Sequence, residues 1–341
     1  MINPFEFESE LTFVIQGPNL DQQDDQITSN LIMSIRKYFP KAPIVFSTWD
    51  GEKIELLPYL EKIVFSPDPG AYVFLEDPKT LNNVNRQIVS TIAGLNQAET
   101  KYAVKLRSDL IFTNNDILAS LCHLDLGNRN PDYAWLKNYV LVSNQTSVNP
   151  RLQYKYPYTI CDWISIGRTE DLRKIWDIPL MPDSWFQYFK DNENLPTPHP
   201  AYLSRYFPET YITTTFIRKY LPIVFDNSFD ISNNNIEISE KIISNNFIIF
   251  SNWQLGIRSQ KHNKKLRTLV PMYTFTSWKR MSKYQGINVN VFKPDFLHLV
   301  LNVIRFFSFL FIIEGKLKLI LNKFLKTQKS IHSQKILKFK K

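Results

Sequence analysis

Short apolar runs and stretches of helical period alternate through the first 110 residues of the chain. Leu11-Thr-Phe-Val-Ile15 is an apolar run of strand length that ends at Gln16-Gly17-Pro18, which reads as a buried strand and its turn. Residues 26–39 place Ile27, Leu31, Ile35 and Tyr38 at helical spacing, and Pro40 stops the helix. Ile44-Val-Phe46 predicts a second strand, ending at Trp49-Asp50-Gly51, and Ile63-Val-Phe65 a third, closed by Pro67-Asp-Pro69-Gly70. Residues 84–98 read as a helix with Val84, Ile88, Ile92 and Leu95 on one face and Asn83 as its N-cap. Tyr102-Ala-Val-Lys-Leu106 is a fourth strand, running into Arg107-Ser108-Asp109. Such alternation predicts an α/β domain with a mostly parallel central sheet and helices on both faces. Ligands bind such sheets outside the carboxyl ends of the strands. The groups expected at those ends are Gln16, Trp49, Asp50, Arg107 and Asp109.

The second half is less regular. Asp162-Trp-Ile-Ser-Ile-Gly167 reads as a strand, followed by a helix through Leu172 and Trp176. Residues 177–200 are Pro-rich and predict a loop near the site, residues 202–216 a helix around Pro208, and Phe247-Ile-Ile-Phe250 a late strand. Residues 226–246, rich in Asn and Ser, read as an exposed connection.

Composition sharpens the picture. With 44% hydrophobic and 14% aromatic residues, the 341-residue chain can bury a substantial core. Its 9 glycines include no G-x-G, so neither glycine-rich phosphate cradle is present. The 2 cysteines offer no disulfide framework and no zinc-ligand spacing, and there is no H-E-x-x-H and no G-x-S-x-G. The acidic start MINPFEFESE has no signal-peptide pattern, so a reducing cytoplasm is expected.

The net charge of +9 resides in residues 291–341, which hold 11 basic and 2 acidic residues, while residues 1–290 are neutral. This boundary divides the expected domains. Residues 296–313 are apolar apart from His298, Asn302, Arg305 and Ser308, short for a membrane span and with a costly Arg305 near the middle. After Gly315, Leu317, Ile320, Leu321, Phe324 and Leu325 share a face flanked by Lys316, Lys323 and Lys326. Basic amphipathic helices lying on an anionic membrane surface fit this pattern. A spanning segment and a packed helix pair with a solvated basic end are the alternatives. Nucleic-acid binding fits less well, because the lysines are interleaved with Leu, Ile and Phe.

The candidate chemistry lies in four places. Asp109, at a strand end, suits one Mg²⁺ or Mn²⁺ ion, and Arg107 suits a phosphate; a helix cap or an Asp–Arg ion pair are the alternatives. Asn82-Asn-Val-Asn85-Arg86-Gln87 puts amides and a guanidinium at a helix N-terminus, which suits phosphate or plain capping. Glu209, among aromatics, and Asp162, before Trp163, can each deprotonate an acceptor hydroxyl or serve as structural carboxylates. Trp49, Trp163, Trp185 and Trp253 suit stacking on sugar or base, with aromatic core as the default.

Taken together, these stretches resemble the WavE lipopolysaccharide synthesis family. The resemblance is carried by Phe13-Val-Ile-Gln16-Gly17-Pro18, Ser47-Thr-Trp49, Asn83-Val-Asn85-Arg86-Gln87-Ile-Val-Ser-Thr91 and Lys101-Tyr-Ala-Val-Lys-Leu-Arg107-Ser-Asp109. More loosely, it continues through Asp162-Trp163, Gly167, Asp171-Leu172, Trp176-Asp177, Pro208-Glu209 and Tyr211. It implies a GT-A-like glycosyltransferase with a single nucleotide-binding domain. In that fold a D-x-D motif after a core strand holds the metal, and Arg107-Ser108-Asp109 stands at its place with only the last Asp kept. The resemblance also implies nucleotide contacts at Gln16, Gly17 and Asp50 and, in inverting members, a base near Glu209.

The resulting expectation is a GT-A-like domain over residues 1–290, followed by a membrane-associating tail over 291–341. It transfers sugar from a nucleotide-sugar donor to a lipid-linked or lipopolysaccharide-core acceptor. Glu209, and less so Asp162, acts as base. Gln16, Gly17, Pro18, Trp49, Asp50, Asn85, Arg86 and Arg107 bind the donor, and Asp109 holds a divalent metal. The tail places the enzyme on the inner face of the bacterial plasma membrane. The rival is a catalytically inert lipid- or polysaccharide-binding protein on a degenerate transferase scaffold.

Overall fold

A computed structural model describes residues 8–21, 25–55, 57–74, 77–121, 128–192, 195, 203–261, 266–289 and 294–307. It divides into two compact units, Met1–Asp295 and Phe296–Lys341.

The first unit is built on a seven-stranded sheet. In chain order its strands are β1 (Leu11–Gln16), β2 (Ile44–Trp49), β3 (Lys62–Ser66), β6 (Tyr102–Arg107), β8 (Val140–Ser143), β9 (Ile164–Arg168) and β10 (Phe247–Phe250). Two small antiparallel pairs accompany it: β4 (Tyr72–Phe74) with β5 (Asp77–Asn82), and β7 (Leu110–Phe112) with β11 (Ile257–Ser259). The helices are α1 (Ile27–Tyr38), α2 (Val84–Leu95), α3 (Asp116–Leu121), α4 (Thr169–Trp176), α5 (Tyr188–Asp191), α6 (Pro208–Ile217), α7 (Asn233–Asn246) and α8 (Phe275–Tyr284).

The spatial order is β10-β8-β9-β6-β1-β2-β3. Strands β1, β2, β3 and β6 pair in parallel, as do β8 and β10, and β9 is antiparallel to both of its neighbours. The sheet is therefore mostly parallel and GT-A-like, with β9 alone reversed. The reversal has a functional consequence. The residues that precede β9, Asp162 and Trp163, arrive at the same edge as the carboxyl ends of the other strands.

Strand β1 is buried along its whole length, as a central strand covered on both faces must be. Phe13 packs with Phe39 and Phe112 at ring distances of 4.8 and 5.4 Å on one face. On the other, Gly94 lets α2 close onto the sheet: a Cβ there would stand 2.6 Å from Val14 Cγ1 and 3.0 Å from Ser47 Cβ.

Several local expectations are corrected. Asn83 is the N-cap of α2 as expected, but its side chain makes no cap bond; the neighbouring Asn82 supplies one, its Oδ1 accepting from Val84 N at 3.1 Å. Among the described residues of 202–216, helix begins only at Pro208, whose ring suits the first turn. Residues 233–246 form a helix instead of an exposed connection. Ser232 caps it, Ile236, Ile242 and Ile243 are buried, and its last two asparagines bond across the chain. Asn245 Oδ1 accepts from Asn130 N at 2.7 Å, and Asn246 Oδ1 from Trp135 N at 3.0 Å.

The second unit is described over 296–307, a helix on which Phe296, Leu299, Val303 and Phe306 are exposed. No helix among the described residues is long and apolar enough to cross a membrane. The amphipathic stretch expected over 316–326 lies outside the described residues.

Candidate functional site

Backbone hydrogen bonds continue beyond the strands and tie their carboxyl ends together. Gly17 N donates to Ser47 O at 3.1 Å, Ser108 N to Gln16 O at 3.1 Å, Asp50 N to Ser66 O at 3.0 Å, and Arg107 N to Trp163 O at 3.1 Å. Gly17 turns the chain at φ +115°, and a Cβ there would stand 3.2 Å from Ser108 Oγ. Only glycine passes this point without strain. Gln16, Arg107, Ser108, Asp109, Asp162 and Trp163 thus share one edge of the sheet.

At its centre Arg107 forks onto Asp109, with Nε 3.0 Å from Oδ1 and Nη2 2.8 Å from Oδ2. The guanidinium carbon lies 4.9 Å from the centre of the Trp163 ring. The Asp109 side chain is 3% exposed and that of Arg107 26%. Burial works against the Arg107 charge, but the Asp109 and Asp162 carboxylates outweigh it and hold its pKa above the ordinary value.

Asp162 is 5% exposed, and its Oδ1 is buried with no hydrogen-bond partner. Its backbone carbonyl accepts from Lys105 Nζ. Lys105 is fully buried in mid-strand, with its ammonium 4.2 Å from the centre of the Trp176 ring. Burial pushes its pKa down to about 8, against the pull of Asp162. Lys105 is the residue that sequence reasoning passed over. The available signal was a lysine inside an otherwise apolar strand.

Helix α6 packs against the segment that leads into Asp162. Thr210 Oγ1 lies 3.1 Å from Thr159 Oγ1, three residues before Asp162, and Tyr211 OH donates to Pro179 O at 2.9 Å. Glu209 lies in the first turn of α6.

The remaining candidates separate into rim and scaffold. Asp50 and Pro18 are exposed at the edge. Trp49 is 6% exposed and belongs to the core, as does Trp163 except for its contact with Arg107. Gln16 is buried, and its Oε1 accepts from Ser90 Oγ at 3.0 Å, which fixes its amide against α2. Asn85 is engaged twice by one backbone unit: its Nδ2 donates to Met181 O at 3.1 Å, and its Oδ1 accepts from Met181 N at 2.7 Å. It holds the 177–186 loop rather than offering free donors to phosphate. Arg86 sits at the rim, forked onto Asp68 at 2.7 and 2.5 Å. That bond, opposed by partial burial, lowers the Asp68 pKa. Beside the turns after β1 and β2 lies a cleft of ≈ 510 Å³ lined by Asn19, Asp21, Ser29, Glu52 and Lys53 among others.

The residues do not fit a divalent-cation site. Both Asp109 oxygens are taken by the Arg107 fork. Among the described residues no three His, Cys, Asp or Glu side chains come together to share an ion. The two buried carboxylates, Asp109 and Asp162, are matched by two cations, the partly exposed Arg107 and the fully buried Lys105, so no excess negative charge draws a metal in.

The sheet order, the single reversed strand and the charged groups at its carboxyl edge define a GT-A-like α/β protein with a buried polar centre. Its family is shown by comparison: the WavE lipopolysaccharide synthesis profile matches residues 11–305, and the chain belongs to that family. Membership gives it a role in lipopolysaccharide synthesis. No curated protein matches the chain.

Proposed function

We propose that this chain is a glycosyltransferase that moves a sugar from a nucleotide-sugar donor to a lipopolysaccharide or lipid-linked acceptor. The observation that carries the reading is the convergence of Gln16, Gly17, Arg107, Asp109 and Asp162 on the carboxyl edge of a GT-A-like sheet, where such sheets bind ligands. The cleft beside β1 and β2 suits a nucleoside in size and polarity.

Transfer needs a base for the acceptor hydroxyl. The geometry favours Asp162 over Glu209. Asp162 Oδ1 is buried and makes no hydrogen bond, so a hydroxyl donor satisfies it, whereas Glu209 is already engaged. Asp162 accepts the hydroxyl proton, the freed oxygen bonds to the anomeric carbon from the face opposite the leaving group, and the sugar–phosphate C–O bond breaks. Its electron pair departs with the nucleoside diphosphate, giving inversion. The exposed apolar side chains on 296–307 and the basic excess of 291–341 support work at an anionic membrane surface on the cytoplasmic side.

The test is product formation from lipopolysaccharide-core acceptor with UDP-, GDP-, dTDP-, ADP- and CMP-sugars. Wild-type protein turns over one donor with inversion, Asp162→Asn loses about 100-fold or more of kcat, and Glu209→Gln loses less than about tenfold. Binding of donor without turnover moves the chain to the inert binding class. The reverse ranking of the two variants returns the base role to Glu209.

A further inference from the structure

A guanidinium has five N–H donors, and the Asp109 fork uses one from Nε and one from Nη2. Nη1 makes no hydrogen bond among the described residues, so the end-on edge formed by Nη1 and Nη2 remains for a ligand. The order of burial fits this. The carboxylate lies inside at 3% exposure, and the guanidinium stands between it and solvent at 26%. The plane of the guanidinium is set from two sides, by the Asp109 fork on one edge and by the Trp163 ring 4.9 Å away. A guanidinium held in this way presents two parallel N–H groups in the geometry that phosphate oxygens accept. A divalent ion at Asp109 would first have to displace that fork, and it would enter a centre whose buried charges already balance.

We infer that Arg107 takes the place of the divalent cation in this chain. It receives the donor's diphosphate through its Nη1–Nη2 edge, Asp109 holds it from behind, and nucleotide binding needs no metal. The inference rests on the transferase reading above.

Isothermal titration of the full chain tests it, with UDP, GDP, dTDP, ADP and CMP each in EDTA and in Mn²⁺. One diphosphate binds in EDTA, and Mn²⁺ changes its Kd by less than about threefold. Asp109→Asn keeps the guanidinium and weakens binding by less than about tenfold. The double variant R107Q/D109N replaces the buried ion pair with neutral side chains of similar shape, so no charge is stranded, and its circular dichroism reports whether it folds. Folded, it loses about 30-fold or more in affinity. Binding that appears only with Mn²⁺, selective binding of CMP, or a folded double variant that binds as wild type overturns the inference and leaves the transferase reading standing. No binding of any nucleotide in either buffer overturns both.

Discussion

Replacing Lys105 with Met removes a fully buried ammonium from β6 while keeping a side chain of similar length. Burial lowers the Lys105 pKa from 10.5 to about 8 in the folded chain, with Asp162 pulling the other way. The unfolded chain titrates near the ordinary value. Between those two values the unfolded chain binds more protons than the folded one, so stability rises with pH across that window. Below it, the folded chain carries the ammonium at a cost. Integrated from pH 7 to pH 9, the gain is about 1 kcal/mol. Urea unfolding followed by tryptophan fluorescence at pH 7, 8 and 9 measures it, as the difference between wild type and Lys105→Met. The neighbouring Cys161 thiol, pushed up by burial and by Asp162, contributes the opposite slope in both proteins. Tyr139, pushed up to about 12 by burial, titrates above the range. The expected result is a difference that grows with pH in favour of the wild type. A flat difference over pH 7–9 would refute the lowered pKa, and is what a Lys105 paired strongly enough with a carboxylate to hold its pKa at or above 10.5 would give.

Three further substitutions test how the edge is held. Gly94→Ala, normally helpful inside a helix, drives a methyl to 2.6 Å from Val14 Cγ1; overpacking outweighs propensity and costs about 1–3 kcal/mol in urea unfolding. Asn85→Ala strands the Met181 N–H and C=O, costs about 1–3 kcal/mol, and speeds proteolysis within 177–186. Asp171→Ala removes the acceptor of Lys137 N and Asn138 N, both at 2.9 Å, from a fully buried position and lowers stability by about 2–4 kcal/mol. Because Asp171 is remote from the strand ends, its variant keeps nucleotide affinity at temperatures where it stays folded.

The strands β1, β2, β6 and β10 were legible in the sequence because burial on both faces favours continuous apolar runs. The edge strand β3 was readable from its short Ile-Val-Phe run although it is largely exposed, and helices α1 and α2 showed a clean apolar stripe. What escaped was structure held by polar side chains. Helix α7 reads as a loop because its Asn and Ser residues have low helix propensity. It forms because Asn245 and Asn246 satisfy backbone groups of 130–136, over a hundred residues away in sequence. The direction of β9 was also illegible, since an apolar run carries no sign, yet that direction is what sets Asp162 beside Arg107. For the site, the sequence left the chemistry of Asp109 undecided between metal ligand and ion pair. The ion pair could not be read from the sequence, because K-L-R-S-D places the guanidinium and the carboxylate two residues apart across a turn whose closure depends on Gln16 and Trp163 backbone bonds from other strands. A motif with one acid where two are usual therefore need not be a degraded metal site. The arginine two residues before that acid supplies the positive charge, and the lysine two residues before the arginine, buried beneath the Asp162 loop, balances the second carboxylate.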